Sequence, residues 1–502
     1  MSLKRGVDRM FKQIPGASFA VQYWDGETIT YGEEKPEFLL RLRDPSSVRR
    51  VLRNPFLRLP EAYVSGQVVV EGNLQRLLRL GYALDPRLPR VNPLRKALLY
   101  FAALARRNSL RGARENVSHH YDRGNEFYQL WLDREMNYSC AYFEDAADDL
   151  DRAQCQKVHH ICKKLRLKPG QRLLDIGCGW GALAAHAVRE FDVSVLGITL
   201  SKEQVARCQS KLRHSGLDGR VEVRLQDYRE LETEPFDAVA SVGMIEHVGK
   251  SYLPAYMAAV ARSLRPGGTG VFQLISQTHE KAVAPWISRY IFPGMYLPPL
   301  GELATEVARA GLRIIDVENL RPHYALTLDA WIERFEKNRE AIREMFDDRF
   351  VRMWRMYLNA ACAAFKYGEL NLWQVTFTHG FSDRMPLTRR YATSMTSRLA
   401  KRRRPAASRS RWPIDLRSKD GALRRCPPSR PSARGGGGRR SSGRVPPGSH
   451  PLLGKGLLDS LTRLPYPRCP CGRGGGGGPR RSVQALPWPR RTVTRPSCGA
   501  WR

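Results

Sequence analysis

The chain has 502 residues, 42% of them hydrophobic, and a formal net charge of +34 from 83 Lys plus Arg against 49 Asp plus Glu. That length buries at least one full core and readily two domains. No apolar run reaches the roughly 20 residues that span a bilayer, and MSLKRGVDRMFKQ lacks the apolar segment of a secretory signal, so a soluble or peripherally attached intracellular protein is expected. The ten cysteines are scattered, without a CxxC pair or histidines at zinc spacing. Neither a disulfide framework nor a metal site is expected, and Cys469 and Cys471 in CPC sit in a Pro/Gly/Arg tract.

Residues 1–90 read as a small α/β domain. FAVQYWDGETITY alternates around an Asp-Gly turn as a hairpin does, SSVRRVLR and NLQRLLRL have helical periodicity, and GQVVVEG between them reads as a strand. Residues 91–116 form a linker in which LRKALLYFAALARRNSLRGARENV reads as a basic amphipathic helix, either packed on a neighbour or lying on a membrane surface.

Over residues 117–397 helical patterns alternate with short apolar runs: RLLDIG, VSVLGIT, VEVRLQD, FDAVASVG, GTGVFQLIS, LRIIDVENL and NLWQVTF. That alternation predicts a mostly parallel sheet covered on both faces, with ligands at the carboxyl ends of its strands.

Residues 398–502 carry 26 Lys plus Arg against 3 Asp plus Glu, a net +23, which leaves +11 for residues 1–397. The tail is dense in Arg, Pro, Gly and Ser and has no periodicity, so it is expected to be disordered. Its preference for Arg over Lys begins abruptly after a well-patterned domain. An out-of-frame reading of a GC-rich message fits that bias, as does a basic arm that binds polyanions.

LLDIGCGWGA, Leu173 to Ala182, is a strand, a glycine turn and a helix start. Gly177 and Gly179 let the backbone turn sharply, and the helix behind them offers unpaired N–H groups. The letters also fit the GxGxxA dinucleotide pattern, so the motif alone decides little. A nicotinamide site would end its second strand on an acid for the ribose, whereas VSVLGITLS ends on Gly197, Ile198, Thr199 and Leu200. Asp175 instead closes the first strand, and Asp227 with Tyr228 follows the third. This arrangement resembles a class I S-adenosylmethionine (SAM) methyltransferase.

HYDRGNEFY, NYSCAYF, LLDIGCGWG, GITLS, MIEHVG, LRPGG, RPHYALTLDAW and PLTRRY, in this order over residues 115–391, resemble the cyclopropane-fatty-acyl-phospholipid synthase family, which includes the mycolic acid cyclopropane synthases. The preceding module resembles the N-terminal domain of full-length synthases. The resemblance implies a Rossmann-like α/β fold with a seven-stranded, mostly parallel sheet. It also implies a reaction in which the SAM methyl adds to a cis double bond of a phospholipid acyl chain, and the resulting cation loses a proton as a three-membered ring closes. An alkene is a weak nucleophile, so such a site must hold it against the sulfonium in a dry, charge-stabilising pocket.

By the same resemblance, a bicarbonate ion is the proton acceptor, held by Cys140, Glu246, Tyr324 and a backbone amide near Val242. Glu246 would accept a hydrogen bond from the ion's hydroxyl, since two bare negative charges would repel. His247 reads equally as a supporting group and as a satisfied structural histidine. Where family members read LHTI this chain reads FQLIS, which puts Gln273 in the histidine's place; an amide donates a hydrogen bond but carries no proton. A methyl-branched or methylene acyl product therefore stands as the alternative outcome. For SAM, the motifs carry over Tyr138, Ser139 and Gly177, with Asp175 and Gly179 beside them, then Thr199, Leu200 and Gln204 near the ribose and Asp227 and Tyr228 near the adenine.

THEKAVAPWISRYIFPGMYLPPL reads as a lid in which Trp286, Tyr290, Phe292 and Tyr296 line an acyl tunnel or simply pack. The expected partners are unsaturated acyl chains and the inner face of the cell membrane, met peripherally, with a homodimer among the assemblies the resemblance allows. Two other classes compete. Nucleic-acid methylation is disfavoured because the positive charge lies mainly in the tail and no basic-aromatic platform is evident. A non-catalytic lipid-binding protein is disfavoured by intact SAM motifs.

Overall fold

The computed structural model describes residues 2–14, 16–83, 112, 123–382 and 386–393. The expected linker helix and the basic tail lie outside the described residues.

The small domain begins with α1 (Leu3–Lys12), which sequence periodicity did not signal. The hairpin forms as expected from β1 (Phe19–Gln22) and β2 (Thr28–Tyr31), with Gly26 at φ +86° in the turn. Next come β3 (Phe38–Leu42), α2 (Pro45–Arg53), α3 (Pro55–Val64), β4 (Val68–Gly72) and α4 (Leu74–Ala83), in a sheet ordered β2-β1-β3-β4. Asp44 caps α2, its carboxylate accepting from the Ser47 amide at 2.8 Å, an interaction worth about 1 kcal/mol. α3 is an addition to the sequence reading. Its two prolines look like breakers, but Pro55 opens the helix, where its missing N–H costs nothing.

The second sheet has seven strands: β5 (Arg172–Ile176), β6 (Ser194–Thr199), β7 (Val221–Leu225), β8 (Phe236–Val242), β9 (Leu264–Gln277), β10 (Leu312–Asn319) and β11 (Leu370–His379). Its order is β10-β11-β9-β8-β5-β6-β7, and β11 alone pairs antiparallel, with both β9 and β10. All seven apolar runs named above become its strands. Central strands such as β8, buried along nearly their whole length, explain why those runs are apolar rather than alternating.

Helices α5 (Leu150–Lys164), α6 (Ala182–Phe191), α7 (Lys202–His214), α8 (Leu253–Ser263), α9 (Pro285–Tyr290), α10 (Leu300–Arg309), α11 (Arg321–Lys337) and α12 (Asp348–Lys366) accompany this sheet. Asp149, Ser201 and Asp347 supply side-chain caps to α5, α7 and α12. An aromatic core joins Phe127, Trp131, Trp331 and Trp354. The small domain docks on α11 and α12: Gln75 donates to Asp329 at 3.0 Å, Arg352 to the Val64 carbonyl at 2.9 Å and Arg355 to the Tyr63 hydroxyl at 3.1 Å.

Candidate active site

A cavity opens at the carboxyl ends of β5, β6 and β8, and all ten residues expected to bind SAM line it: Tyr138, Ser139, Asp175, Gly177, Gly179, Thr199, Leu200, Gln204, Asp227 and Tyr228. The chain turns out of β5 at Gly177, where φ is +81° and an added Cβ would come within 3.1 Å of Met244. A larger residue there would be strained by its backbone and pressed against the cavity wall.

Three anchors surround the cavity. Thr199 Oγ1 donates to Gln204 Oε1 at 2.6 Å, and Ser201 caps the helix that brings Gln204 back to β6. Asp227, 1% exposed, accepts from Arg229 Nε at 2.8 Å and Nη2 at 2.7 Å. The Arg229 guanidinium lies 5.3 Å from the Tyr228 ring centre and fixes that ring's edge of the cavity. Asp175 is 2% exposed, and its Oδ2 has no hydrogen-bond partner among the described residues. Burial pushes its carboxyl up to about 7, against the opposing pull of Lys157.

Lys157 is a lining residue that sequence reading missed. It sits on α5, where lysine ordinarily marks a solvated face, yet it is 3% exposed. Its Nζ donates to Asn137 Oδ1 at 2.9 Å and Ser139 Oγ at 3.1 Å, and burial lowers its pKa to about 8. The only sequence signal was the apolar company of its helix neighbours. A buried ammonium beside an unpaired buried carboxylate oxygen suits the zwitterionic methionine end of SAM, so the cavity's donor set fits that molecule.

A second group of residues lies behind the cavity. Glu246 is in a 3₁₀ turn, Ile245–His247, 2% exposed. Its Oε1 accepts from the Ile275 amide at 2.6 Å, while Oε2 is buried without a partner among the described residues. Burial pushes this carboxyl up to about 7, and the Ile275 hydrogen bond opposes the shift. His247 follows it and lines the SAM cavity. Burial lowers its pKa to about 4, so its ring is neutral at physiological pH.

Gln273 Nε2 donates to the Cys140 carbonyl at 3.2 Å, and its Oε1 accepts from Gln374 Nε2 at 2.8 Å. Cys140 is 1% exposed; burial pushes its thiol well up, so it is not a thiolate. The Leu320 carbonyl lies 3.9 Å from Cys140 Sγ and also accepts from the Tyr324 amide at 3.1 Å, which places Tyr324 one turn beyond the cysteine's neighbour. β9 thus touches Cys140 through Gln273 and Glu246 through Ile275, Leu320 links Cys140 to the start of the Tyr324 helix, and His247 lines the cavity.

Near Val242, the Gly243 N–H donates to the Gln273 carbonyl at 2.8 Å, continuing the β8–β9 ladder. The amide bonded to the Glu246 carboxylate is that of Ile275. The four lid aromatics have different surroundings. Trp286 and Tyr290 face the small domain across a cleft, Phe292 lies 5.8 Å from the His247 ring, and the Tyr296 amide donates to the Glu246 carbonyl at 2.9 Å. Among the described residues no group of three or more His, Cys, Asp or Glu is placed to hold a metal ion, and no helix is long and apolar enough to cross a membrane.

Residues 108–375 match the family model for mycolic acid cyclopropane synthetase, and residues 7–87 match a domain of unknown function, DUF7884. The chain is 36% identical over 391 residues to the "Probable fatty acid methyltransferase" of Pseudomonas putida, covering 74% of this chain and 96% of that one. It is 40% identical over 356 residues to the cyclopropane-fatty-acyl-phospholipid synthase of Escherichia coli K12, covering 70% and 90%. Among solved structures it is similar to the cyclopropane synthase MmaA2 of Mycobacterium tuberculosis (TM-score 0.51, 31% identity, 53% of this chain and 98% of that one). The mycolic acid cyclopropane synthase CmaA1, solved with SAH and CTAB, gives a TM-score of 0.50 at 32% identity, covering 53% and 98%. A mostly parallel seven-stranded sheet, the SAM-lining motifs and these likenesses lead to one assignment: the chain belongs to the cyclopropane-fatty-acyl-phospholipid synthase family and is a SAM-dependent methyltransferase.

Proposed function

We propose that the enzyme transfers the SAM methyl group to the cis double bond of unsaturated acyl chains in membrane phospholipids, working peripherally at the inner face of the cell membrane. The observation that carries this reading is the Glu246 carboxylate: fully buried, with one oxygen unpartnered, beside a SAM cavity that its neighbour His247 lines. Methyl addition leaves positive charge on the chain carbon next to the new bond. A buried carboxylate and uncharged ring faces stabilise that charge in a dry site without offering a competing nucleophile such as water.

In this reading Tyr138, Ser139, Asp175, Gly177, Gly179 and Lys157 hold the methionine end of SAM, Thr199, Leu200 and Gln204 the ribose, and Asp227 and Tyr228 the adenine. Bicarbonate, when bound, would supply the base that takes the proton. The unpartnered Glu246 Oε2 suits the hydroxyl of such an ion, with Tyr324 and the second N–H of Gln273 as further donors. Cys140 stays a neutral thiol, its Sγ donating to the Ala141 carbonyl at 3.2 Å, and leaves the anion's charge unopposed by a thiolate.

A second outcome is favoured by one observation. Gln273 is held at both ends, by Cys140 and Gln374, and cannot carry a proton. If a 1,2-hydride shift moves the charge onto the methyl-bearing carbon and the proton then leaves from that methyl group, the added carbon becomes a methylene branch on the open chain. Both products gain one CH2 relative to the substrate. The experiment is product mass spectrometry after incubating the full-length protein with SAM and dioleoylphosphatidylglycerol vesicles, with NMR of the product. A gain of CH2 supports the reading, ring or olefinic proton signals separate the two outcomes, and unchanged lipid mass with intact SAM binding contradicts both.

A further inference from the structure

A second cleft, of about 480 Å³, lies where the small domain meets α9 and α12, a volume within the range of about 300–1,000 Å³ usual for ligand sites. Four arginines line it: Arg50 from α2, Arg58 from α3, Arg289 from α9 and Arg349 from α12. The one carboxylate among the lining residues, Glu61, is taken: Arg58 donates to it at 2.6 Å and the Tyr290 hydroxyl at 2.9 Å. Arg50 meets only neutral oxygens, Ser46 Oγ at 3.0 Å and Gln67 Oε1 at 3.2 Å. Among the described residues no carboxylate forms an ion pair with Arg50, Arg289 or Arg349. Among the described residues, the guanidiniums of Arg50, Arg289 and Arg349, from three elements, therefore share one concavity with no ion-pair partner. Their planar, forked donors match a phosphate.

The surroundings select the kind of phosphate. Leu52 and Phe56, on the same α2–α3 corner as Arg50 and Arg58, are 40% and 65% exposed, and Phe346, three residues before Arg349, is 37% exposed. Exposed apolar side chains interspersed with arginine are what a surface needs to enter the boundary between head groups and acyl chains. The cleft also leads inward. Tyr290 lines it, and two residues on, at most about 7 Å of backbone, Phe292 packs against His247.

We propose that this cleft seats the phosphate of a bilayer phospholipid, with Leu52 and Phe56 dipping into the acyl boundary, so that the small domain holds the head group while the acyl chain follows the 286–296 segment to Glu246. This deepens the proposed function and rests on it for the chain that reacts. It also gives the small domain a task that its own fold leaves unstated.

The test uses full-length protein, an Arg50→Gln/Arg289→Gln/Arg349→Gln variant, and a control that removes three exposed arginines elsewhere, Arg213→Gln/Arg262→Gln/Arg309→Gln. Calorimetric SAM binding establishes that each is folded; should the cleft variant fail it, Arg289→Gln/Arg349→Gln takes its place. On dioleoylphosphatidylglycerol vesicles the cleft variant should lose co-sedimentation on the order of a hundredfold, with the control within about twofold of the parent. Methylation of those vesicles should fall in parallel through KM, while methylation of detergent-dispersed dioleoylglycerol, which has no phosphate, should hold. Equal losses in the two variants, or unchanged vesicle binding, would overturn the site. Protection by inorganic phosphate without vesicle binding would also overturn it, in favour of a soluble anion. Vesicle binding that needs the arginines, without methylation of any lipid, would uphold the site and sink the proposed function.

Discussion

The SAM cavity and the Glu246 pocket adjoin each other but are built differently. The cavity is made by strand ends and the turns that follow them, so its groups come from contiguous motifs: Gly177 after β5, Thr199 and Gln204 around β6, Asp227 after β7. The Glu246 pocket is made by register. Gln273 meets Gln374 because β9 and β11 pair at those two residues, and Glu246 meets Ile275 because a 3₁₀ turn folds back on the next strand. In the proposed assignment, cofactor binding therefore depends on local backbone shape, and chemistry on contacts between residues far apart in the chain. The two functions should be separable by mutation.

The largest separation is expected from Glu246→Ala. Removing the buried carboxylate should lower kcat by about 10²–10³, the scale of losing one preorganised charge-stabilising group, while calorimetric SAM affinity stays within about twofold. Asp227→Ala should do the reverse. Losing the carboxylate that holds Arg229, and that the proposed assignment sets at the adenine, should raise the SAM Kd by about tenfold or more, with kcat at saturating SAM largely retained. A kcat loss in Asp227→Ala as large as that in Glu246→Ala would break the comparison.

The pH dependence sharpens it. Burial holds Glu246 up to about 7. If the ionised form accepts the hydrogen bond and stabilises the cation, kcat/KM should rise with pH through about 7 and lose that limb in Glu246→Gln. The sign for stability is opposite. Because the folded-state pKa lies above the unfolded value, folding favours the protonated form. The associated stability is full below about 4.5 and is lost as pH rises through about 7. Denaturant unfolding at pH 5 and pH 8 should show Glu246→Gln gaining stability relative to the parent at the higher pH.

The smallest effect is expected from Gln273→Leu. It leaves the Cys140 carbonyl and the Gln374 amide without their partner and should cost about 1–3 kcal/mol in unfolding free energy, with SAM affinity unchanged. Gln273→His should change the product ratio if this position steers proton loss, read by NMR of the lipid product.

Legibility in the sequence follows the same division. The central strands were visible because burial on both faces leaves apolar runs, the edge strand β7 because it alternates, and the residues lining the cavity because glycine turns and strand-end acids are local. The helix Pro55–Val64 was hidden by prolines, and the strand Phe38–Leu42 by the Lys-Pro before it. Lys157 was hidden because burial of a lysine is decided by tertiary packing. The Ile275 amide as the partner of Glu246 could not be read, since which N–H a sheet consumes depends on its register. The lid aromatics stayed open between lining a tunnel and packing, because closeness in sequence does not separate the two; Trp286 and Tyr290 border the cleft beside the small domain.

The most direct test measures two constants on the same preparations of Glu246→Ala and Asp227→Ala: SAM Kd by calorimetry, and lipid turnover at saturating SAM by mass spectrometry of oleoyl phospholipid vesicles. The account predicts a crossing, with turnover lost and affinity kept in the first and the reverse in the second. Full turnover by Glu246→Ala would contradict the role given to the buried carboxylate.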